Sequence, residues 1–419
     1  HIGSAPSSLS VYPSRGLVDE KFTVLVQKAP PGFQMTIHVL HQCEDGNSLE
    51  AFAHYTADAC GTVNLSEDPS MGGTYSGVEP MGLIWSLKPV PGSKPGIRLS
   101  KKNVQTPMEF TISVYKGHQT EGFVDQVQLA CVVVERWYMA PGVRRVPITE
   151  GGLIGVLFLP PGPGPFPGVL DLWGGGVDLL ETRSALLASH GFASMTINYM
   201  DPFRKNEETI TFLIMFFLQT ALRVLQQHPQ ILSSSIGMLG LSFGASVTFK
   251  MAAYSDVVKV RNCAVCISGS HVQPVDGSVA DLIEYYNQVI TRDLLLPIPT
   301  DPTMKVDVGR VQCPLLLIVG EDDQNWPVSE SAQDIKEMME RAGNSHLLTI
   351  LSYPNTGHLI EPPYSGHVLV STFVIECITV DLWGGEMVAH CRAQEDAWRK
   401  ILVFLMENLF VHNSANTSE

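Results

Sequence analysis

The sequence predicts an α/β chain in two parts, an amino-terminal antiparallel β-sandwich followed by a larger domain built on a mostly parallel sheet with helices on both faces. Three observations carry that expectation. Up to about residue 140 the chain consists of short, alternating apolar runs separated by glycine, proline and Asp or Asn clusters. Beyond that point strand-length apolar runs alternate with helix-length ones. One of those later runs ends in Gly240-Leu241-Ser242-Phe243-Gly244, immediately before a helical pattern. At 419 residues the chain is long for one domain, and 45% hydrophobic with 16% charged residues supplies a core for two.

In the first part, residues 1–140, strands are expected at 22–27, 35–40, 110–115 and 127–134. Short strands at that spacing fit a sandwich. The turn-rich stretch Ala140-Pro141-Gly142-Val143-Arg144-Arg145 marks the boundary. In the second part, residues 141–412, strands are expected at 153–159, 168–173, 192–198, 236–241, 263–268, 314–320 and 346–353. Helices are expected at 179–190, 208–228, 243–253 and 392–409. The stretch 269–310 has no clear period apart from a short helix near 282–296, and insertions of that length often cover substrate sites. Residues 413–419 form a polar tail.

The glycine spacing around Ser242 has a chemical reason. A serine on a sharp strand-to-helix turn presents its hydroxyl at the positive end of the helix, and only glycine-sized neighbours let strand and helix come that close. Gly240 and Gly244 supply the room, Ser242 becomes a candidate nucleophile, and the Phe243 amide a candidate oxyanion donor. Serine attacks only when a base takes its proton and an acid orients that base, and on a sheet of this kind the chain order is Ser, Asp or Glu, then His. Asp322 and Asp323 follow the apolar run 313–320, and His358 follows the run 346–353. The pattern alone does not choose between the two aspartates. A second oxyanion donor is expected from the glycine loop after 168–173, where Gly174 and Gly175 are the candidates. These features make the second part an expected α/β-hydrolase domain.

Composition excludes other classes. A net charge of -15 argues against nucleic acid or an anionic membrane surface as partner, while leaving room for a phosphate-bearing substrate with a local basic pocket. No run reaches the roughly 18 apolar residues of a membrane span, since 210–225 is interrupted by Thr211, Gln219, Thr220 and Arg223. The eight cysteines are scattered, which suits free thiols in a reducing compartment. Cys263 and Cys266 have the C-x-x-C spacing without a second ligand pair, so they read as buried strand residues, and neither a metal nor a bound cofactor is expected. The amino end lacks the basic and apolar regions of a secretory signal, which favours the cytoplasm. A mitochondrial or peroxisomal address stays open because the chain starts without Met.

Longer motifs surround these positions. They are Gly77-Val-Glu-Pro-Met-Gly82-Leu-Ile-Trp85, Tyr138-Met-Ala-Pro-Gly-Val-Arg-Arg145, Phe158-Leu-Pro-Pro161, Leu179-Leu-Glu-Thr-Arg183 and Gly320-Glu-Asp-Asp-Gln-Asn-Trp326. Tyr353-Pro-Asn-Thr-Gly-His358 and Trp383-Gly-Gly-Glu386 with His390 follow. In them the chain resembles, over nearly its full length, the family of acyl-CoA thioesterases and bile acid-CoA:amino acid N-acyltransferases. The resemblance implies an amino-terminal β-sandwich joined to an α/β-hydrolase domain, with Ser242 as nucleophile, His358 as base and Asp323 as acid. It also implies an acyl-CoA substrate and hydrolysis to free fatty acid and coenzyme A. The family's conjugating enzyme resembles a cysteine version of the elbow, so Ser242 points to hydrolysis ahead of the alternatives, N-acyl transfer to glycine or taurine and a noncatalytic scaffold. Phe243 and the loop Trp173-Gly-Gly-Gly-Val177 depart from the family's usual residues and are expected to line the acyl pocket. Arg144, Arg145 and Arg183 are candidates for coenzyme A phosphates, because guanidinium groups bind phosphate in a bidentate manner.

Overall fold

Strand-length runs of β-branched and aliphatic residues become two separate sheet systems, one in each of two compact units. Unit one comprises residues 1–140 with 362–371, and unit two comprises 141–361 with 372–419. The second unit is therefore interrupted at 362–371, where the sequence reading kept 141–412 continuous. The structure, a computed structural model, describes residues 7–93, 96–174, 179–199, 210–258, 262–273, 296–374 and 378–410. Within these, the side chains of 210–214 and 370–381 are not described. The expected helix near 282–296 and the tail 413–419 fall on residues outside the described ones.

Unit one contains a three-stranded sheet, Ser8–Tyr12, Thr23–Gln27 and Val63–Asn64, and a six-stranded sheet. The second runs in the order Arg15–Leu17, Ala130–Trp137, Met108–Lys116, Gln34–Gln42, Ser48–Thr56, Lys88–Pro89. Its pairings are antiparallel except the first. The strand expected at 127–134 lies at Ala130–Trp137, because register places Ala130 opposite Val114 and Arg136 opposite Met108. Val127 precedes the ladder and is 84% exposed, an apolar residue that continues the alternation without a strand to pair with.

Unit two is built on eight strands: β1 (Arg144–Ile148), β2 (Gly155–Leu159), β3 (Phe166–Leu172), β4 (Ala193–Ile197), β5 (Ile231–Leu241), β6 (Cys263–Ile267), β7 (Leu315–Gly320) and β8 (Leu348–Tyr353). They line up as β1-β2-β4-β3-β5-β6-β7-β8. The β1-β2 and β2-β4 pairs are antiparallel and the rest parallel. Every residue of β2, β4, β6 and β7 is buried, as expected of strands covered on both faces. Cys263 and Cys266 sit on β6 as buried free thiols. Among the described residues of this unit there are five α-helices: α1 (Thr182–Ser189), α2 (Ile210–Gln227), α3 (Phe243–Tyr254), α4 (Val328–Ala342) and α5 (Met387–Leu409). Leu170, Met238 and Leu317 from the sheet pack with Leu222, Phe249 and Met339 from the helices in one apolar core, each such side chain contributing roughly 1.5–3 kcal/mol by leaving water.

Two strands differ instructively from their sequence outlines. β5 starts at Ile231, five residues before the apolar run, and Ser233 and Ser234 are exposed where the register with β3 jumps from Phe166↔Ile231 to Gly168↔Ile236. A bulge accommodates polar residues that a flat strand would have buried. β8 begins at Leu348 after a short 3-10 turn, and as an edge strand it is only partly covered.

Buried imidazoles make the fold acid-sensitive. Burial pushes the His38, His41 and His271 pKa values below the ordinary 6.5, outweighing the Glu50 and Asp334 carboxylates beside His38 and His271. For such groups the unfolded chain takes up protons that the folded chain refuses, so their contribution is complete above about pH 6.5 and declines as pH falls below it. Asp334 acts lower: hydrogen bonds from His271 and Lys305 hold its carboxyl at about 2, so its contribution is lost as pH falls from the ordinary 3.8 toward that value. Thermal melts are expected to fall steadily as pH goes from 7.5 to 5, with a further drop below pH 4. A melting temperature that stays level between pH 7.5 and 5 would remove the imidazole contribution.

Candidate active site

Local chain geometry builds the nucleophile position first. Ser242 caps α3 with φ 59° and ψ -121°, a conformation that non-glycine residues rarely adopt. Its N–H donates to the Ile267 carbonyl at 2.9 Å, tying the turn to the end of β6. The flanking glycines are there for space: a Cβ on Gly240 would lie 2.2 Å from the Gly244 carbonyl oxygen, and one on Gly244 would lie 2.3 Å from that of Leu172.

The acid and base arrive from neighbouring strand ends. Asp323 follows β7 and His358 follows β8, and the His358 ring lies between the other two groups. Nε2 is 2.8 Å from Ser242 Oγ and Nδ1 is 2.6 Å from Asp323 Oδ2. His358 is fully buried, and its ring stacks on Trp383 at 5.4 Å between centroids with Trp326 at 6.0 Å. The other Asp323 oxygen accepts the backbone N–H groups of Asn325 and Trp326 at 2.8 and 2.9 Å. Asp322 faces elsewhere, accepting from Gly385 N–H and from the Gln324 side chain. Of the two aspartates left open by pattern, Asp323 is therefore the one beside the imidazole.

On the other side of Ser242 lies the loop after β3. A Cβ on Gly174 would stand 3.0 Å from Ser242 Cβ and 3.2 Å from the Leu241 carbonyl oxygen, so glycine is what lets this backbone approach the nucleophile. The Tyr199 hydroxyl donates to the Trp173 carbonyl, and its ring stacks on Phe243 at 6.1 Å, so one side chain spans the two candidate oxyanion segments. Phe243 opens α3 directly after the serine. Gly175, the alternative donor, lies outside the described residues, as does Gly176.

The arginine expectation needs a correction. Arg183 is 1% exposed and bound to Asp171, with its guanidinium 4.8 Å from the Trp173 ring centroid and a further bond to the Leu172 carbonyl. It braces β3 from within and does not face a substrate. The leucines and alanines around it on α1 gave no sign of this, because the partner carboxylate sits on β3. Arg145 is paired with Glu181 and Arg144 donates to Gln230, both on more exposed ground.

Residues not singled out as site positions also converge. Ser268, with φ 52°, donates its hydroxyl to the His358 carbonyl at 2.6 Å. Trp383 and His390 lie in the last quoted motif, and their positions in it are the only sequence signal they carry.

A buried imidazole bridging a serine hydroxyl and a carboxylate, all three on loops at the carboxyl edge of a mainly parallel sheet, defines the class as an α/β hydrolase. Comparison with known proteins narrows that class. The family model described as "Acyl-CoA thioester hydrolase/BAAT N-terminal region" matches residues 19–150, and "BAAT / Acyl-CoA thioester hydrolase C terminal" matches 213–410. The chain belongs to this acyl-CoA thioester hydrolase/BAAT family. Among its relatives, the mouse (Mus musculus) peroxisomal succinyl-coenzyme A thioesterase is 35% identical, covering 96% of this chain and 97% of the relative. The mouse mitochondrial acyl-coenzyme A thioesterase 2 is 36% identical over 96% of this chain and 90% of the relative. The human (Homo sapiens) acyl-coenzyme A thioesterase 1 is 35% identical over 96% of both. Among the described residues no helix is long and apolar enough to cross a membrane.

Proposed function

We propose that this chain hydrolyses fatty acyl-CoA to free fatty acid and coenzyme A through an acyl-serine intermediate on Ser242. The observation that supports it most is the hydrogen-bond series Ser242 Oγ, His358 Nε2, His358 Nδ1, Asp323 Oδ2 in a chain of this family. Asp323 accepts from Nδ1–H, which leaves Nε2 with a lone pair toward the serine hydroxyl. Ser242 Oγ attacks the thioester carbonyl as Nε2 takes its proton, and the Asp323 carboxylate offsets the imidazolium charge. The oxyanion develops against the Phe243 N–H at the start of α3, with the N–H of Gly174 or Gly175 as second donor. Collapse breaks the carbon–sulfur bond, and His358 returns its proton to the coenzyme A thiolate. Water then enters, His358 takes a proton from it, and the acyl-serine is cleaved to free acid and Ser242. The seven described cysteines are free thiols, which suits a reducing compartment such as the cytoplasm.

The test is thiol release from a panel of acyl-CoAs, with and without added glycine and taurine. Free acid as the product whatever the amine is the expected result. Amide product that grows with amine concentration would make the chain a conjugating acyltransferase, and absence of release across the panel would favour the scaffold reading.

A further inference from the structure

The two backbone groups that flank His358 end on one imidazole. Gly357 N–H donates to His390 Nδ1 at 3.0 Å, and His390 Nε2 lies 2.8 Å from the Leu359 carbonyl oxygen. A backbone N–H can only donate and a carbonyl oxygen can only accept, so the ring keeps its single proton on Nε2 and is neutral. His390 is 2% exposed on α5. One turn further along the same helix, Gln394 adds a second donor to the Leu359 carbonyl at 3.2 Å. The backbone of His358 itself is held as well, its N–H by the Trp383 carbonyl at 2.9 Å and its carbonyl by Ser268 Oγ at 2.6 Å.

An apolar side chain at position 390 would fill the same helix–loop space without the cost of burying an imidazole. The ring instead spends both nitrogens on the chain segment that carries another histidine. We infer that His390 is a positioning residue for the catalytic base, its neutral Nε2–H form fixing the backbone on both sides of His358 and thereby holding that ring between Asp323 and Ser242. The inference rests on the triad reading above and is independent of which acyl-CoA is the substrate. Proton transfer depends steeply on such placement, since a displacement of about 1 Å can cost on the order of 10²-fold in rate.

The experiment is the rate of covalent labelling of Ser242 by a fluorophosphonate probe, which needs no knowledge of the substrate, supported by kcat and KM on an acyl-CoA that is turned over. The proteins are the wild type, Ser242→Ala as blank, His390→Phe and His390→Asn. His390→Phe keeps an aromatic ring, somewhat larger, and loses both bonds. It is expected to label about 10²-fold more slowly, with kcat reduced in proportion and KM within about twofold because the buried side chain at 390 is not exposed to touch substrate. His390→Asn keeps an acceptor for Gly357 N–H and is expected to recover most of the loss, ending about tenfold below wild type for the one missing bond. Wild-type labelling in His390→Phe, or equal rates in folded Phe and Asn variants, would overturn the inference. If the Phe variant does not fold, the Asn variant decides alone: a tenfold deficit supports the assignment and a wild-type rate overturns it. A wild type that resists the probe would overturn the triad reading on which the assignment stands, and the assignment with it. Normal wild-type labelling with an indifferent position 390 would sink only the positioning role.

Discussion

Ser242→Ala is expected to end covalent labelling and to cut coenzyme A release by about 10⁵-fold or more. On the proposed mechanism the substitution removes the Oγ that would form the acyl-enzyme, while the Phe243 amide and the proposed second donor, Gly174 or Gly175, remain. What survives is the modest acceleration that oxyanion donors and binding give to direct attack by water. The fold has little reason to respond. The Ser242 hydroxyl bonds to His358 Nε2, and alanine keeps the same Cβ and so the same strain at φ 59°. Melting should therefore stay within about 1 kcal/mol of wild type in stability terms. The pairing of near-complete inactivity with an unchanged melt is the informative result. A folded Ser242→Ala protein that kept more than about a hundredth of the wild-type rate would take the serine out of the reaction.

Asp323→Asn is expected to lower kcat by about 10⁴-fold, some 5 kcal/mol of barrier, with KM little altered. The surrounding donors determine which way the new amide turns. Asp323 Oδ1 accepts two backbone N–H groups, from Asn325 and Trp326, and only an oxygen can take that place. The amide nitrogen is then forced into the Oδ2 position, 2.6 Å from His358 Nδ1. Facing a donor, Nδ1 must accept, so the ring proton moves to Nε2 and the base can no longer take the Ser242 proton. Size and backbone bonds are conserved, which separates this loss from unfolding. Asp322→Asn is the control: its carboxylate braces Gly385 N–H and Gln324, and it should cost less than tenfold. Comparable losses at the two positions would mean that Asp323 acts through the loop and not through the imidazole.

Features that depend on local spacing were legible in the chain. The parallel strands announced themselves as buried apolar runs, and the elbow at Ser242 as two glycines around a serine between a strand and a helix. His358 and the Asp322-Asp323 pair were placed on loops after the right strands, because strand direction in a parallel sheet sends each such loop to the same edge. Extents were less legible: the polar start of β5 needed the bulge beside β3, and the strand at Ala130–Trp137 needed the register of its neighbour. The pairing of Val370–Val374 with Ile378–Leu382 was not anticipated at all.

The strand-end positions of Ser242, His358 and the aspartate pair are thus what the sequence by itself determined, since each follows from periodicity, glycine spacing or order along a strand and its loop. Tertiary structure decided the pairings between segments distant in the chain. Asp323, which the resemblance implied but pattern left level with Asp322, meets His358 because two backbone amides turn its carboxylate inward. Arg183 is spent on Asp171 and withdrawn from any phosphate. His390 reaches back from α5 to hold both flanks of the base. In each case the chemistry resides in a hydrogen bond or ion pair whose partners are separated by a dozen to several dozen residues, and no periodicity encodes which of several equivalent side chains will find the other.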